Sequence, residues 1–181
     1  KKKNELQKFK KTSYMFMLKQ LKSWISKLEL KKNKSIWGKY EKYNTYNEKS
    51  LSEKEKIVAQ FVKKVKPNKL IDLGCNNGQF SKISIDNGAK EVVAVDFDIN
   101  AISNTYEISK KNNLNLLPLF IDLSNPSPNQ GWRQFERQGF KERFKCDAVI
   151  ALAIEHHLTI GKNIPINQFI EWIINFGKFG L

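Results

Sequence analysis

The chain has 181 residues, of which 40% are hydrophobic and 28% charged, and a formal net charge of +14. That balance fits a folded globular protein and excludes a disordered polyelectrolyte, while the length allows one domain with a sizeable core plus an appendage. The charge is unevenly placed: residues 1–67 carry 20 Lys, no Arg and 6 Glu, whereas residues 68–181 carry 12 basic and 12 acidic side chains.

The opening KKKNELQKFKKTSYMFML is basic and then apolar, but YMFML is too short for a signal-peptide core and no small-residue cleavage site follows. No apolar run approaches the roughly 18 residues that a membrane span needs. From Tyr14 the apolar positions Leu18, Leu21, Ile25 and Leu28 recur at spacings of four and three, with Met17 and Trp24 widening the stripe. This is the period of an amphipathic helix. Two readings stay open: a surface helix that packs its stripe on a core, or a lysine-rich face in residues 1–34 that meets an anionic partner such as RNA, an acidic glycan or a lipid surface. Lysine without arginine weakens the nucleic-acid version, because the guanidinium fork is what reads phosphates bidentately. Trp37, Tyr40, Tyr43 and Tyr46 follow, either as packing or as a lid.

SLSEKEKIVAQFVKKV (50–65) reads as a helix capped by Ser50 or Ser52, and Pro67 ends it. The period then changes. KLIDLG (69–74), EVVAVDF (91–97), a strand within LNLLPLFIDL (114–123), CDAVIALAI (146–154) and the start of a strand at KFGL are separated by helical stretches at 78–88, 99–113 and 167–177. Pro118 marks the third strand as irregular or an edge. SNPSPNQGW is a loop, with Trp132 and Arg133 as candidate substrate contacts, and RQFERQGFKERF reads as helical up to Gly139. Strands alternating with crossover helices predict an α/β fold, a doubly wound, mainly parallel sheet with helices on both faces. The expected organisation is a basic, mainly helical extension over 1–50 and a core over 51–181.

In such a sheet, ligands collect beyond the carboxyl ends of the strands. The turn GCNNG carries Gly74 and Gly78, which let the backbone bend and a ligand approach closely. Asp72 stands two residues ahead of the first glycine, Asp96 ends the second strand 24 positions later, and Asp122 closes the third. One acid at a strand end is ordinarily a cap or turn former, as Asp98 can be; three in succession with the glycine turn point to a site. A dinucleotide turn would read GxGxxG and seat pyrophosphate on a helix amino terminus. An acid there repels pyrophosphate and favours an ammonium group, so an amino-acid-bearing nucleoside fits better than NAD.

These residues resemble class I S-adenosylmethionine-dependent methyltransferases from about Lys69 to Leu181. LIDLGCNNG is similar to that family's first motif, AVDFD to its second, FIDLS to its third and CDAVIALAIEHHL to its fourth. The resemblance implies a Rossmann-like sheet, S-adenosyl-L-methionine as cofactor, and contacts from Asp72, Gly74, Cys75 and Gly78 to its methionine part. It implies Asp96 for ribose, Phe97 for the adenine face, and Asp122 with Leu123 for the adenine edge. Ala151 and Leu152 are expected beneath the cofactor. LSNPSPNQGW with ALAIEHHLTIGKNIPI is similar, more narrowly, to a bacterial group related to host-specific nodulation proteins. Family members have seven strands ending in an antiparallel pair, and about five are placed here; with no initiator Met and an end at GKFGL, carboxyl-terminal strands are expected to be missing from this chain.

Methyl transfer needs a base only where the nucleophile must lose a proton. Glu155, His156 and His157 follow the fourth strand and are the candidates; they can equally begin a helix. Cys75 and Cys146 form no disulfide framework and, without CxxC or clustered histidines, no metal site, so a reducing, cytoplasmic setting is expected. The acceptor is expected to be a small molecule or glycan rather than nucleic acid. The competing class is a non-catalytic binding protein whose lysine-rich segment attaches to RNA or an anionic surface.

Overall fold

The computed structural model describes residues 10–28 and 48–181. The chain divides into two compact units, one up to Asn33 and one from Lys34 to Leu181. In the first, helix α1 spans Lys11–Ile25, where the spacing predicts it. Trp37, Tyr40, Tyr43 and Tyr46 lie outside the described residues.

The second unit begins, within the described residues, with helix α2 (Glu48–Val65). Ser50 and Ser52 therefore lie inside the helix rather than capping it, because its backbone is already helical before Ser50. There follow β1 (Lys69–Leu73), α3 (Gln79–Asp86), β2 (Glu91–Asp96), α4 (Ile99–Lys111), β3 (Leu116–Phe120), the short α5 (Phe140–Arg143), β4 (Ala148–Ile150), α6 (Glu155–Thr159), α7 (Ile166–Ile174) and β5 (Phe179–Gly180). The five strands form one sheet in the order β3-β2-β1-β4-β5, and every pairing is parallel. The sheet thus grows outward from β1 to β3 and then returns to the other side of β1 for β4. That reversal is the switch point, where a crevice opens at the carboxyl ends of the strands.

Alternation sorts the side chains onto two faces. Leu70, Val92, Ala94 and Ile150 join Val58 and Val62 of α2 in one buried layer; Ile71, Val93, Val95 and Val149 join Phe140, Phe169 and Phe176 in the other. Being covered on both sides is why β1 and β2 read as nearly continuous apolar runs. Pro118 is tolerated because β3 is the last strand in the order and pairs only with β2.

Two expectations are corrected. The fourth strand stops at Ile150 rather than running to Ile154, because Ala153 takes a left-handed conformation (φ 55°) that turns the chain into α6. The stretch before Gly139 is not a continuous helix: Gly131, Arg133 and Gln134 all have positive φ, a single 3₁₀ turn covers Trp132–Gln134, and Gln130 bridges Arg137 in an antiparallel sense. Trp132 and Phe135 are exposed there, so no apolar layer supports a longer helix. The helix resumes where burial does, at Phe140, whose ring packs against Phe144, Trp172 and Phe176 with centroids 5.0 to 6.3 Å apart.

Phe140 is 1% exposed, so Phe140→Ala should cost about 3 to 5 kcal/mol by leaving a cavity under the sheet. Urea unfolding of the two proteins measures this; a loss under about 1 kcal/mol would mean that the aromatic cluster is not a supporting element.

Candidate functional site

The crevice holds a cavity of about 330 Å³, within the range of small-ligand sites. Its walls come from the carboxyl ends of β1 and β2, the turn after β1, the segments that follow β3 and β4, and α2 and α6. The turn is built by its own backbone. The Gly74 and Cys75 N–H groups donate to the Val95 carbonyl, and the Gly78 N–H donates to the Cys75 carbonyl. Gly74 has φ 80°, and a Cβ there would lie 2.5 Å from Ile154 Cδ1. Gly78 has φ 75°, and its Cβ would lie 2.5 Å from Thr105 Cγ2. So Gly74 is pressed between the turn and the segment after β4, whereas Gly78 is needed for the close approach of α4. Thr105 returns the contact by donating its Oγ1–H toward the Asn76 carbonyl at 3.1 Å.

Two carboxylates lie at the heart of this turn. Asp96 Oδ2 accepts from the Asn76 N–H at 2.8 Å and its Oδ1 accepts from the Asp98 N–H at 2.9 Å. It ties the turn after β1 to the end of β2, and each oxygen keeps a lone pair to spare. Asp72 is 2% exposed, because it sits in the central strand with Ala94 and Ile150 as neighbours. Its Oδ2 accepts from Ser81 Oγ at 2.6 Å. Burial pushes its pKa up to about 6, against the lowering effect of the Ser81 bond and with some help from the negative charge of Asp96. A carboxylate held in this way favours any cation brought to it.

The other strand-end acids differ. Asp98 caps α4, its Oδ1 accepting from the Asn100 N–H at 2.8 Å. Asp122 is more open; it accepts from the Ser124 hydroxyl and N–H at 2.6 and 2.9 Å, which, with Lys162 at 3.9 Å, hold its pKa below the usual carboxylate value.

The cavity brings together Asp72, Gly74, Cys75, Asp96, Phe97, Asp122 and Leu123, together with His157. Gly78, Ala151, Glu155 and His156 do not line it. Ala151 instead donates its N–H to the Leu181 carbonyl across to β5, and Leu152 and Ala153 take the lining position because the chain turns at Ala153. Cys75 is buried with its thiol pKa pushed far up, first by burial and then by the charges of Asp72 and Asp96, so it is a filler rather than a nucleophile. Burial, and then the neighbouring His156 ring at 4.1 Å, lower the His157 pKa and keep its imidazole neutral at pH 7. Among the described residues, no group of three or more His, Cys, Asp or Glu could hold a metal ion.

Several lining residues were not singled out in the sequence. Asn76 had a local signal: in GCNNG an asparagine is the non-glycine residue best suited to the left-handed region it occupies (φ 47°). Its Oδ1 is buried without a protein partner among the described residues, so an acceptor stands uncommitted at the turn. Lys54 and Leu51, from α2, carried no local signal in the sequence. They reach the cavity only because α2 packs beside α3, a contact fastened by Gln79 Nε2 donating to Glu55 Oε1 at 2.7 Å.

Three outcomes follow. Because the folded pKa of Asp72 lies above its unfolded value, its contribution to stability is complete below about pH 3.8 and is lost as pH rises through about 6. Asp72→Asn should therefore raise the stability of the ligand-free protein at pH 7.5, by up to about 3 kcal/mol, and the difference should shrink towards pH 4; thermal melts at both pH values check it. Gly78→Ala should destabilise by at least about 2 kcal/mol through left-handed strain and overpacking, and adding Thr105→Ser should recover part of the loss. In an NMR titration, His156→Ala should move the His157 pKa upward, since a repelling neighbour is removed.

Comparison with known proteins places this geometry in context. The chain is 44% identical over 172 residues to the nodulation protein NoeA of Rhizobium meliloti (strain 1021), covering 94% of this chain and 36% of that protein. It thus spans about a third of that relative's length. Among solved structures it shares its fold with a SAM-dependent methyltransferase from Aquifex aeolicus (TM-score 0.53, 19% identity, 80% of this chain and 68% of that one). It shares it also with the bifunctional kinase-methyltransferase WbdD (TM-score 0.55, 16% identity, 88% of this chain and 33% of that one). The family model of the tellurite resistance protein TehB matches residues 31–131, a stretch that takes in the turn, Asp72, Asp96 and Asp122; the chain belongs to the TehB family.

Proposed function

We propose that residues 51–181 form the cofactor-binding core of an S-adenosylmethionine-dependent methyltransferase acting in the cytoplasm on a small-molecule or glycan acceptor. The observation that carries this reading is Asp96: a carboxylate fixed by two backbone N–H groups at the end of β2, lining the cavity, with one lone pair left on each oxygen. Two adjacent hydroxyls of a ribose match that pair of acceptors. The rest of the wall suits the same molecule: the buried Asp72 favours a cationic amine, the uncommitted Asn76 Oδ1 can take a donor, and Phe97 and Leu123 offer apolar surface for a base. A pyrophosphate would meet Asp72 and Asp96 and be repelled, which sets the NAD reading aside.

Bound there, the cofactor would supply an electrophilic methyl group on a sulfonium. The chain's part is then mainly positional. Gly74, with no Cβ, keeps the turn and the segment after β4 close, and Ile154 and Leu158 exclude water from that side. Holding an acceptor in near-attack geometry is worth roughly 7 to 11 kcal/mol. If the acceptor carries a proton on its nucleophilic atom, neutral His157 is the lining side chain able to take it. Glu155 and His156, which stand off the cavity, hold no such position.

Calorimetry with S-adenosylmethionine and S-adenosylhomocysteine tests the reading. Both should bind, and Asp96→Asn should weaken them about tenfold to a hundredfold, as expected for losing hydrogen bonds to a charged acceptor. No binding heat from either ligand with the intact chain would overturn it.

A further inference from the structure

Helix α1 is absorbed by none of the chemistry above. It has 15 residues, none of them buried, and its apolar side chains are exposed from 39% at Leu18 to 62% at Trp24. At about 100° per residue, Trp24, Met17, Leu21, Tyr14, Ile25 and Leu18 fall, in that angular order, within one arc of about 120°, and exposed Leu28 follows just past the helix end. The helix's own lysines, Lys11, Lys19 and Lys22, all fall outside it, together with Met15 and Phe16. Residues 10–28 hold five Lys and no Asp or Glu.

The two halves of this surface call for different things. The lysines need negative charge, and the apolar arc needs a medium that is not water. A polynucleotide supplies the first but gives seven large apolar side chains nothing to bury against, and it is best read by arginine, which residues 1–67 lack. A second copy of the helix would bury the arc but set lysine against lysine. A bilayer surface with anionic headgroups supplies both, with phosphates for the lysines and the acyl boundary for the arc, and Trp24 and Tyr14 belong to the residue types favoured at that depth. The helix is about 22 Å long, short of the roughly 30 Å hydrocarbon core, and no described helix is long and apolar enough to cross a membrane. It can lie on a membrane but not span one.

We infer that α1 is an interfacial anchor that lays its Trp24–Met17–Leu21–Leu18 face into an anionic lipid surface, holding the catalytic unit at a membrane. The consequence for the reaction is local concentration: an acceptor that is itself lipid-linked or membrane-held would be encountered in two dimensions rather than three. Lipid binding by α1 stands apart from the cofactor assignment; only this consequence for an acceptor rests on the proposed function.

The test is co-sedimentation of the full chain with vesicles. Vesicles containing phosphatidylglycerol should pull the protein down, pure phosphatidylcholine should do so far less, and raised salt should weaken the binding. Lys19→Glu with Lys22→Glu, and separately Leu21→Asp, should each reduce the partition coefficient by more than about tenfold, while Gln20→Ala should leave it unchanged. Absence of sedimentation with the anionic vesicles would overturn the inference. So would binding that tracks the lysines but ignores Leu21→Asp, since that is the behaviour of a polyanion-binding face. A drop in thermal midpoint for Leu21→Asp without vesicle binding by the parent chain would also overturn it, because the stripe would then be packed within the protein.

Discussion

A carboxylate buried near the end of the central strand, with no ion-pair partner among the described residues, is the constraint around which the site is arranged. Asp72 occupies a position that β1's neighbours make dry, and burial, with some help from the charge of Asp96, pushes its pKa up to about 6. A fold selected only for stability would place an apolar residue there, as it does at Ile71 and Leu73 on either side. The Ser81 hydroxyl offsets part of the cost and leaves the rest in place. That residual cost is what a cationic ligand would relieve, so ligand affinity and the instability of the ligand-free turn arise from one side chain.

Asp96 has the complementary part. It is satisfied by backbone donors on both oxygens, and through them it holds the turn after β1 against the end of β2. The two acids are close enough for Asp96 to raise the pKa of Asp72, yet their environments separate their tasks: one is dry and held by a single hydroxyl, the other is fixed by two backbone N–H groups. The glycines support this from behind. Gly74 lets Ile154 close on the turn, and Gly78 lets α4 do so through Thr105.

Much of this was legible in the sequence because it is encoded locally. β1 and β2 are short apolar runs ended by acids and glycine, and their limits differ from the observed ones by no more than a residue. Asp72, Gly74, Cys75, Asp96, Phe97, Asp122 and Leu123 line the cavity because strand ends in a parallel sheet converge on one crevice. What was not legible depends on contacts distant in sequence. Lys54 and Leu51 reach the cavity through the packing of α2. Leu152 lines the cavity as expected, but the exchange of Ala151 for Ala153 follows from a left-handed residue where helix or strand would both have been reasonable. Likewise, Gly78 reads as a ligand-facing glycine until the opposite wall, Thr105, is seen.

Asp147 sits at the far end of the sheet from the crevice. Its carboxylate accepts from the Asn68 and Lys69 N–H groups where β1 begins, and its carbonyl accepts from Lys178 and Phe179 where β5 begins. Strand alignment is thereby settled at the hem of the sheet by one residue, remote from the chemistry. The loops at the opposite margin can then change without disturbing how the strands pair, which gives this scaffold room to alter what its crevice admits while keeping its sheet.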